Sequence, residues 1–164
     1  MSSEYEEFMN SQTKQPKKVK SGSKVFEKAS YSKLNSKQKE NYNFHRLASL
    51  LASFGFNSIW LNDDVHGADL LALSTEGDVF KIQLKGRLTF DKKYLNKNLY
   101  MAFPDNGGFY IYPHDLALKT FIKRFEQTTS WNEKGQYSMK LVTNADSKHI
   151  SDYFFDENSD LITF

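Results

Sequence analysis

Between Asn35 and Gly55 the apolar positions recur at helical spacing. Phe44, Leu47, Ala48, Leu51 and Phe54 fall on one stripe together with Glu40, whereas Tyr42, His45, Ser49 and Ser53 point the other way. Asn35 followed three residues later by Gln38 has the pattern of a capping box, and Gly55 suits the left-handed residue that ends a helix. The spacing therefore predicts a helix between them. After it the period changes from 3.6 to two. A strand is expected over 56–61, then a loop over 62–68, then Asp69 opening the apolar run 70–73. Beyond 74–78, Phe80, Ile82 and Leu84 alternate with Lys81, Gln83, Lys85 and Arg87, as in a strand with one apolar face. Two further strands are expected over 99–103 and 109–112, joined by a turn over 104–108, and Asp115 is placed to cap a helix running to 125. The segments 139–142 and 150–155 can add further strand. The pattern is that of an α/β chain with a mixed sheet flanked by helices.

The central hairpin decides which polar side chains meet, because a register shift of one residue turns a strand over. Thr75-Glu76-Gly77 fits a three-residue connection, a type I turn followed by glycine in the left-handed region. Ser74 then faces Asp78, and counting back sets Asp69 opposite Gln83, with Lys85 on the same face. A two-residue turn at Glu76-Gly77 would instead set Asp69 opposite Leu84 and disperse the three.

Composition narrows the setting. With 164 residues, one domain plus a tail is expected, and 39% hydrophobic residues with 15% aromatics are enough to build a core. Residues 1–34, rich in Ser, Lys, Glu and Gln, read as a mobile basic arm preceding a single domain over 35–164. Cysteine is absent, which excludes disulfides and thiolate metal sites and favours an intracellular, cytoplasmic location. The acidic first residues with no apolar run after them predict no signal peptide, and no stretch reaches the roughly 20 apolar residues of a membrane span. The net charge of +2 conceals lysine-rich stretches over 11–30 and 81–97, which attract phosphate backbones or simply form solvated surface.

An aspartate, an amide oxygen and a lysine on one strand face suit phosphodiester hydrolysis for separate reasons. Asp69 and Gln83 offer hard oxygen ligands to Mg²⁺ or Mn²⁺, which takes few protein carboxylates in such sites. Lys85 can orient or deprotonate a water and offset developing charge. Glu40 is the candidate for a further acid, because a carboxylate on a buried stripe calls for a partner. Arg87, Lys92, Lys93 and Lys97, interleaved with Phe90 and Tyr94, are candidate contacts to nucleic-acid phosphates, or a solvated basic loop. His66 has no assigned role; Asp63 and Asp64 read as a turn or as outer carboxylates; His114-Asp115 reads as a proline turn plus helix cap.

Gly67-Ala68-Asp69, then fourteen positions to Gln83-Leu84-Lys85, resembles the motif of the PD-(D/E)XK nuclease superfamily, with glutamine at the second ligand as in the Q-x-K variant of Mrr-type restriction endonucleases. The resemblance spans about 36–125. It implies a restriction endonuclease-like mixed sheet flanked by helices, a divalent-metal site and DNA cleavage as a metal-dependent endonuclease. By position Asp69 matches the first acid, Gln83 the second ligand, Lys85 the lysine and, more loosely, Glu40 the acid of the first helix. Ala68 stands where the family name has proline. A homodimer is compatible with the resemblance, although no dimer face is legible. The neutral ligand Gln83 keeps a second expectation open: an inactive nuclease-fold protein that binds nucleic acid or a protein partner.

Overall fold

A computed structural model describes residues 22–139 and 148–164, and only the backbone of 64 and 65. The chain divides into two units, Met1–Leu34 and Asn35–Phe164. In the first, residues 1–21 of the expected arm lie outside the described residues, and the remainder holds one 3₁₀ turn, Tyr31–Lys33, with Val25 and Phe26 exposed.

The second unit is an α/β fold. Helix α1 (Ser36–Ser53) begins at the capping box, in which Asn35 Oδ1 accepts from the Gln38 backbone and Gln38 Oε1 accepts from the Asn35 backbone, both at 2.9 Å. It ends before Gly55 at φ 83°. Strands β1 (Asn57–Val65), β2 (Ala68–Leu73) and β3 (Val79–Leu84) form an antiparallel meander. After β4 (Leu88–Asp91) and a 3₁₀ turn at Lys92–Tyr94 the chain returns as β5 (Tyr100–Asp105), parallel to β3. Strand β6 (Gly108–Pro113) pairs antiparallel with β5, and the two-residue β8 (Phe154–Phe155) pairs with β6. The resulting six-stranded mixed sheet has the order β1-β2-β3-β5-β6-β8, while β4 pairs with β7 (Gln136–Met139) in a small second sheet. Helices α2 (His114–Phe121) and α3 (Thr129–Lys134) complete the unit.

Both faces of the large sheet are covered. Leu47 and Leu51 of α1 share a core with Leu70, Ala72, Ile82 and Leu84. On the other face Met101, Phe103 and Tyr112 pack with Phe90, Phe121 and Phe125 from β4, α2 and the segment after it. Burying the Tyr112 hydroxyl requires partners. It donates to the Thr89 carbonyl at 2.7 Å and accepts from the Thr89 amide at 3.1 Å, tying β4 to β6. Burial pushes its pKa well up.

Several expectations need correcting. Strand β1 runs to Val65 instead of 61, because an irregularity between Trp60 and Val65 carries the polar stretch Asn62-Asp63-Asp64 within the strand. The expected loop shrinks to His66-Gly67, both left-handed at φ 57° and 90°. The turn expected over 104–108 shortens likewise: Pro104 and Asp105 belong to β5, and Asn106-Gly107 make the reversal with positive φ at both positions. Asp115 caps nothing. Helix α2 starts two residues earlier, with Pro113 in the cap position, and gives way at Ile122 to a 3₁₀ turn, Ile122–Arg124. Proline fixes the entry, so the carboxylate falls inside the first turn. The strand expected over 139–142 is Gln136–Met139, with Val142 outside the described residues, and most of 150–155 is the 3₁₀ turn Ser151–Tyr153 before β8. No helix among the described residues is long and apolar enough to cross a membrane.

Candidate functional site

The hairpin register is the one the turn chemistry predicts. Leu70 pairs with Ile82 and Leu73 with Val79; the Ser74 amide bonds to the Asp78 carbonyl at 2.9 Å, and Gly77 sits at φ 98°. Counting outward, Asp69 stands opposite Gln83. Their side chains meet, with Gln83 Nε2 donating to Asp69 Oδ2. The same oxygen accepts the Leu84 backbone amide at 2.9 Å, so a side chain satisfies the donor where the β2–β3 ladder ends. Asp69 Oδ1 and Gln83 Oε1 accept no hydrogen bond among the described residues.

Asp69 is half-buried and Gln83 only 5% exposed. Burial raises the Asp69 pKa; the Leu84 amide, the Lys85 charge and the Gln83 amide oppose the rise, and the Glu40 charge adds to it. Both Lys85 and Glu40 therefore lie within electrostatic reach of the carboxylate. Glu40 reaches it from the first turns of α1, its Oε1 bonded to Lys37 Nζ at 2.8 Å. Lys37 Nζ in turn lies 5.5 Å from the centre of the Trp60 ring.

Lys85 follows the last residue of β3, its amide bonded to the Ala102 carbonyl at 2.8 Å and its Nζ 5.6 Å from the Tyr94 ring centre. Tyr94, which the sequence offers only as an aromatic interleaved with the basic residues, is 2% exposed. It closes the floor beneath the motif: a Cβ at Gly67 would sit 3.0 Å from its ring, so the left-handed glycine also makes room for the tyrosine. The segment carrying Tyr94 is pinned by His114, 1% exposed, whose Nε2 accepts the Asp91 amide at 3.2 Å. That leaves the ring proton on Nδ1, which donates to Asp115 Oδ1 at 2.8 Å, while Asp115 Oδ2 accepts the Asn96 amide at 2.8 Å. The pair taken for a turn and cap is thus a clamp on the crossover between β4 and β5.

The basic candidates separate. Lys93 Nζ shares the Tyr94 ring with Lys85, at 4.8 Å, and lies 3.9 Å from Asp91 Oδ2. Arg87 is exposed two residues past Lys85. Lys92 turns to the Trp131 ring at 5.1 Å, and Lys97 is half-buried with its carbonyl accepting from Lys81 Nζ. His66 is exposed in its turn, Asp63 is exposed on β1, and the Asp64 side chain lies outside the described residues.

A hydrated Mg²⁺ or Mn²⁺ suits this donor set, since Asp69 Oδ1, Gln83 Oε1 and the Glu40 carboxylate are hard oxygens of which two are charged. No cluster of three or more His, Cys, Asp or Glu side chains that could hold a metal ion occurs among the described residues. As oriented, the Gln83 amide offers nitrogen to Asp69, and donating Oε1 at the same place requires it to turn over.

The raised Asp69 pKa has a consequence for stability. The folded state holds this proton more tightly than the unfolded chain, whose carboxyl has the ordinary value of 3.8. Ionised Asp69 therefore weighs against folding once pH exceeds the raised folded value, and not at all below the ordinary one. Asn keeps an oxygen for both donors. In chelator, Asp69→Asn should melt at a higher temperature than the parent near about pH 7 and with no difference near about pH 3; a lower melting temperature for the variant at neutral pH would contradict this.

No protein-family model matches the chain, and no curated protein sequence does.

Proposed function

We propose that this chain is a metal-dependent nuclease that hydrolyses DNA phosphodiester bonds, an endonuclease of the restriction endonuclease-like kind. The observation that carries the reading is the bonded pair Asp69–Gln83 with Lys85 and Glu40 both acting on the same carboxylate. Asp69, Gln83 and Glu40 would hold Mg²⁺ or Mn²⁺. Such an ion supplies Lewis acidity toward a phosphate oxygen and the attacking water. Lys85, steadied by the Tyr94 ring, orients that water, accepts or relays its proton and offsets charge developing on the phosphate. Arg87 and Lys93 beside the site, with Lys92 and Lys97 further along the crossover, bind the DNA backbone. An intracellular setting and a homodimer that cuts both strands are compatible with this reading.

A second reading is favoured by one observation, the amide nitrogen that Gln83 turns toward Asp69. It is a scaffold that binds nucleic acid, or a protein partner, without turnover. Plasmid and labelled linear DNA incubated with Mg²⁺, Mn²⁺ or chelator separate the two. Nicking or cutting that needs the ion is the expected result. Salt-sensitive binding without ion-dependent cutting would establish the silent scaffold and end the nuclease reading.

A further inference from the structure

Directly beyond Lys85 the chain opens a cavity of about 190 Å³, lined by Gly86, Arg87, Leu88, Phe103, Asp105 and Met139. We propose that this cavity receives a single unpaired nucleobase adjoining the scissile phosphate, so that a strand with at least one base free of its partner is preferred over a fully paired one. The inference rests on the nuclease reading for its phosphate.

Position is the first support. Gln83 stands beside Met101 on the neighbouring parallel strand, and Phe103 is the next residue of β5 on that same face, about 7 Å further along. Gly86 and Arg87 continue the chain from Lys85 on the opposite wall. The cavity thus lies at the carboxyl ends of two parallel strands, one residue pair past the pair that carries the chemistry. That offset is comparable with the reach from a phosphate to its own base.

The lining is the second support. Leu88 and Phe103 are 0% and 3% exposed, and with Met139 they give an apolar floor for a flat ring. At the rim stand the exposed Arg87, which can only donate, and the half-buried Asp105, which can only accept when ionised. Asp105 Oδ2 accepts from Asn106 Nδ2 at 3.1 Å, and Oδ1 has no such partner among the described residues. A nucleobase is the ligand class with apolar faces and both kinds of hydrogen-bonding group around one edge. The space exceeds the roughly 30 Å³ of a water and falls short of the roughly 300 Å³ at which drug-sized pockets begin, as one ring system requires. A paired base has its edge occupied and cannot be read here.

Gly86 offers a clean test. A Cβ there meets nothing within 4 Å, and its φ is not left-handed, so Gly86→Trp should fold normally and fill the mouth, while Gly86→Ala should leave it open. Fluorescence anisotropy of the full chain, in chelator, compares a labelled single-stranded DNA with the same strand annealed to its complement. Wild type and Gly86→Ala should bind the single strand about tenfold more tightly than the duplex, and Gly86→Trp, at an unchanged melting temperature, should lose that advantage. Equal affinities in wild type, or a preference that survives Gly86→Trp, overturns the pocket whatever the DNA-cutting assay gives. The expected binding pattern without ion-dependent cutting would instead sink the catalytic reading and keep the base site.

Discussion

Asp69→Ala should abolish ion-dependent cutting, and Lys85→Ala should slow it about 10²- to 10⁴-fold, the range spanned by a positioned proton-transfer group. The two losses have different origins. Asp69 is half-buried and its Oδ1 accepts no hydrogen bond among the described residues, so removing it would take away a charged oxygen placed to hold the ion. Lys85, a cation, is not among the candidate ligands; its loss should lower kcat with little change in the Mg²⁺ concentration required. Alanine at 69 also strands the Leu84 amide, which costs about 1–3 kcal/mol of stability. Asp69→Asn retains that bond and should be equally inactive, which separates lost chemistry from lost fold. Plasmid nicking measured for the three variants, with melting temperatures alongside, checks this. Cutting retained in both alanine variants would rule the site out.

Gly108→Ala should be the most damaging of the glycine-to-alanine changes on steric grounds. A Cβ there meets the Phe155 carbonyl oxygen, the Phe154 ring at 2.6 Å and Asp156 Cβ at 2.9 Å. The ring tip could turn aside, but a backbone oxygen in a strand pair cannot. Relief requires β8 to lift from β6, withdrawing Phe155, 1% exposed, from the core it shares with Phe109 and α1. Overpacking costs about 1–3 kcal/mol, and the upper end of that range corresponds to roughly 10 °C in melting temperature. Gly77→Ala is the contrast: a Cβ there meets nothing, and only the strain of φ 98° remains, about 1–2 kcal/mol. Thermal melts should rank the first variant below the second, and the opposite order would contradict the steric account.

What the sequence determined by itself is local. The cap, the end and the buried stripe of α1 are written between Asn35 and Gly55, and the hairpin is written almost as locally, because a three-residue turn ending in left-handed glycine sets Ile82 against Leu70 and Phe80 against Ala72. Asp69 facing Gln83 follows by counting once the three-residue turn is formed, and the structure selects that turn over the two-residue one at Glu76-Gly77. The tertiary structure decided what depends on contacts between distant segments. β3 lies parallel to β5 across a crossover without an α-helix, β1 stays a strand through Asn62 and Asp63, and Tyr94 sits under Gly67 and Lys85 because His114 and Asp115 grip the loop from α2. No periodicity encodes these, since burial of Tyr94 and pairing of His114 are set by which surfaces close over them. The ligand geometry at Asp69 lies between the two: its face is a matter of counting, its raised pKa a matter of burial.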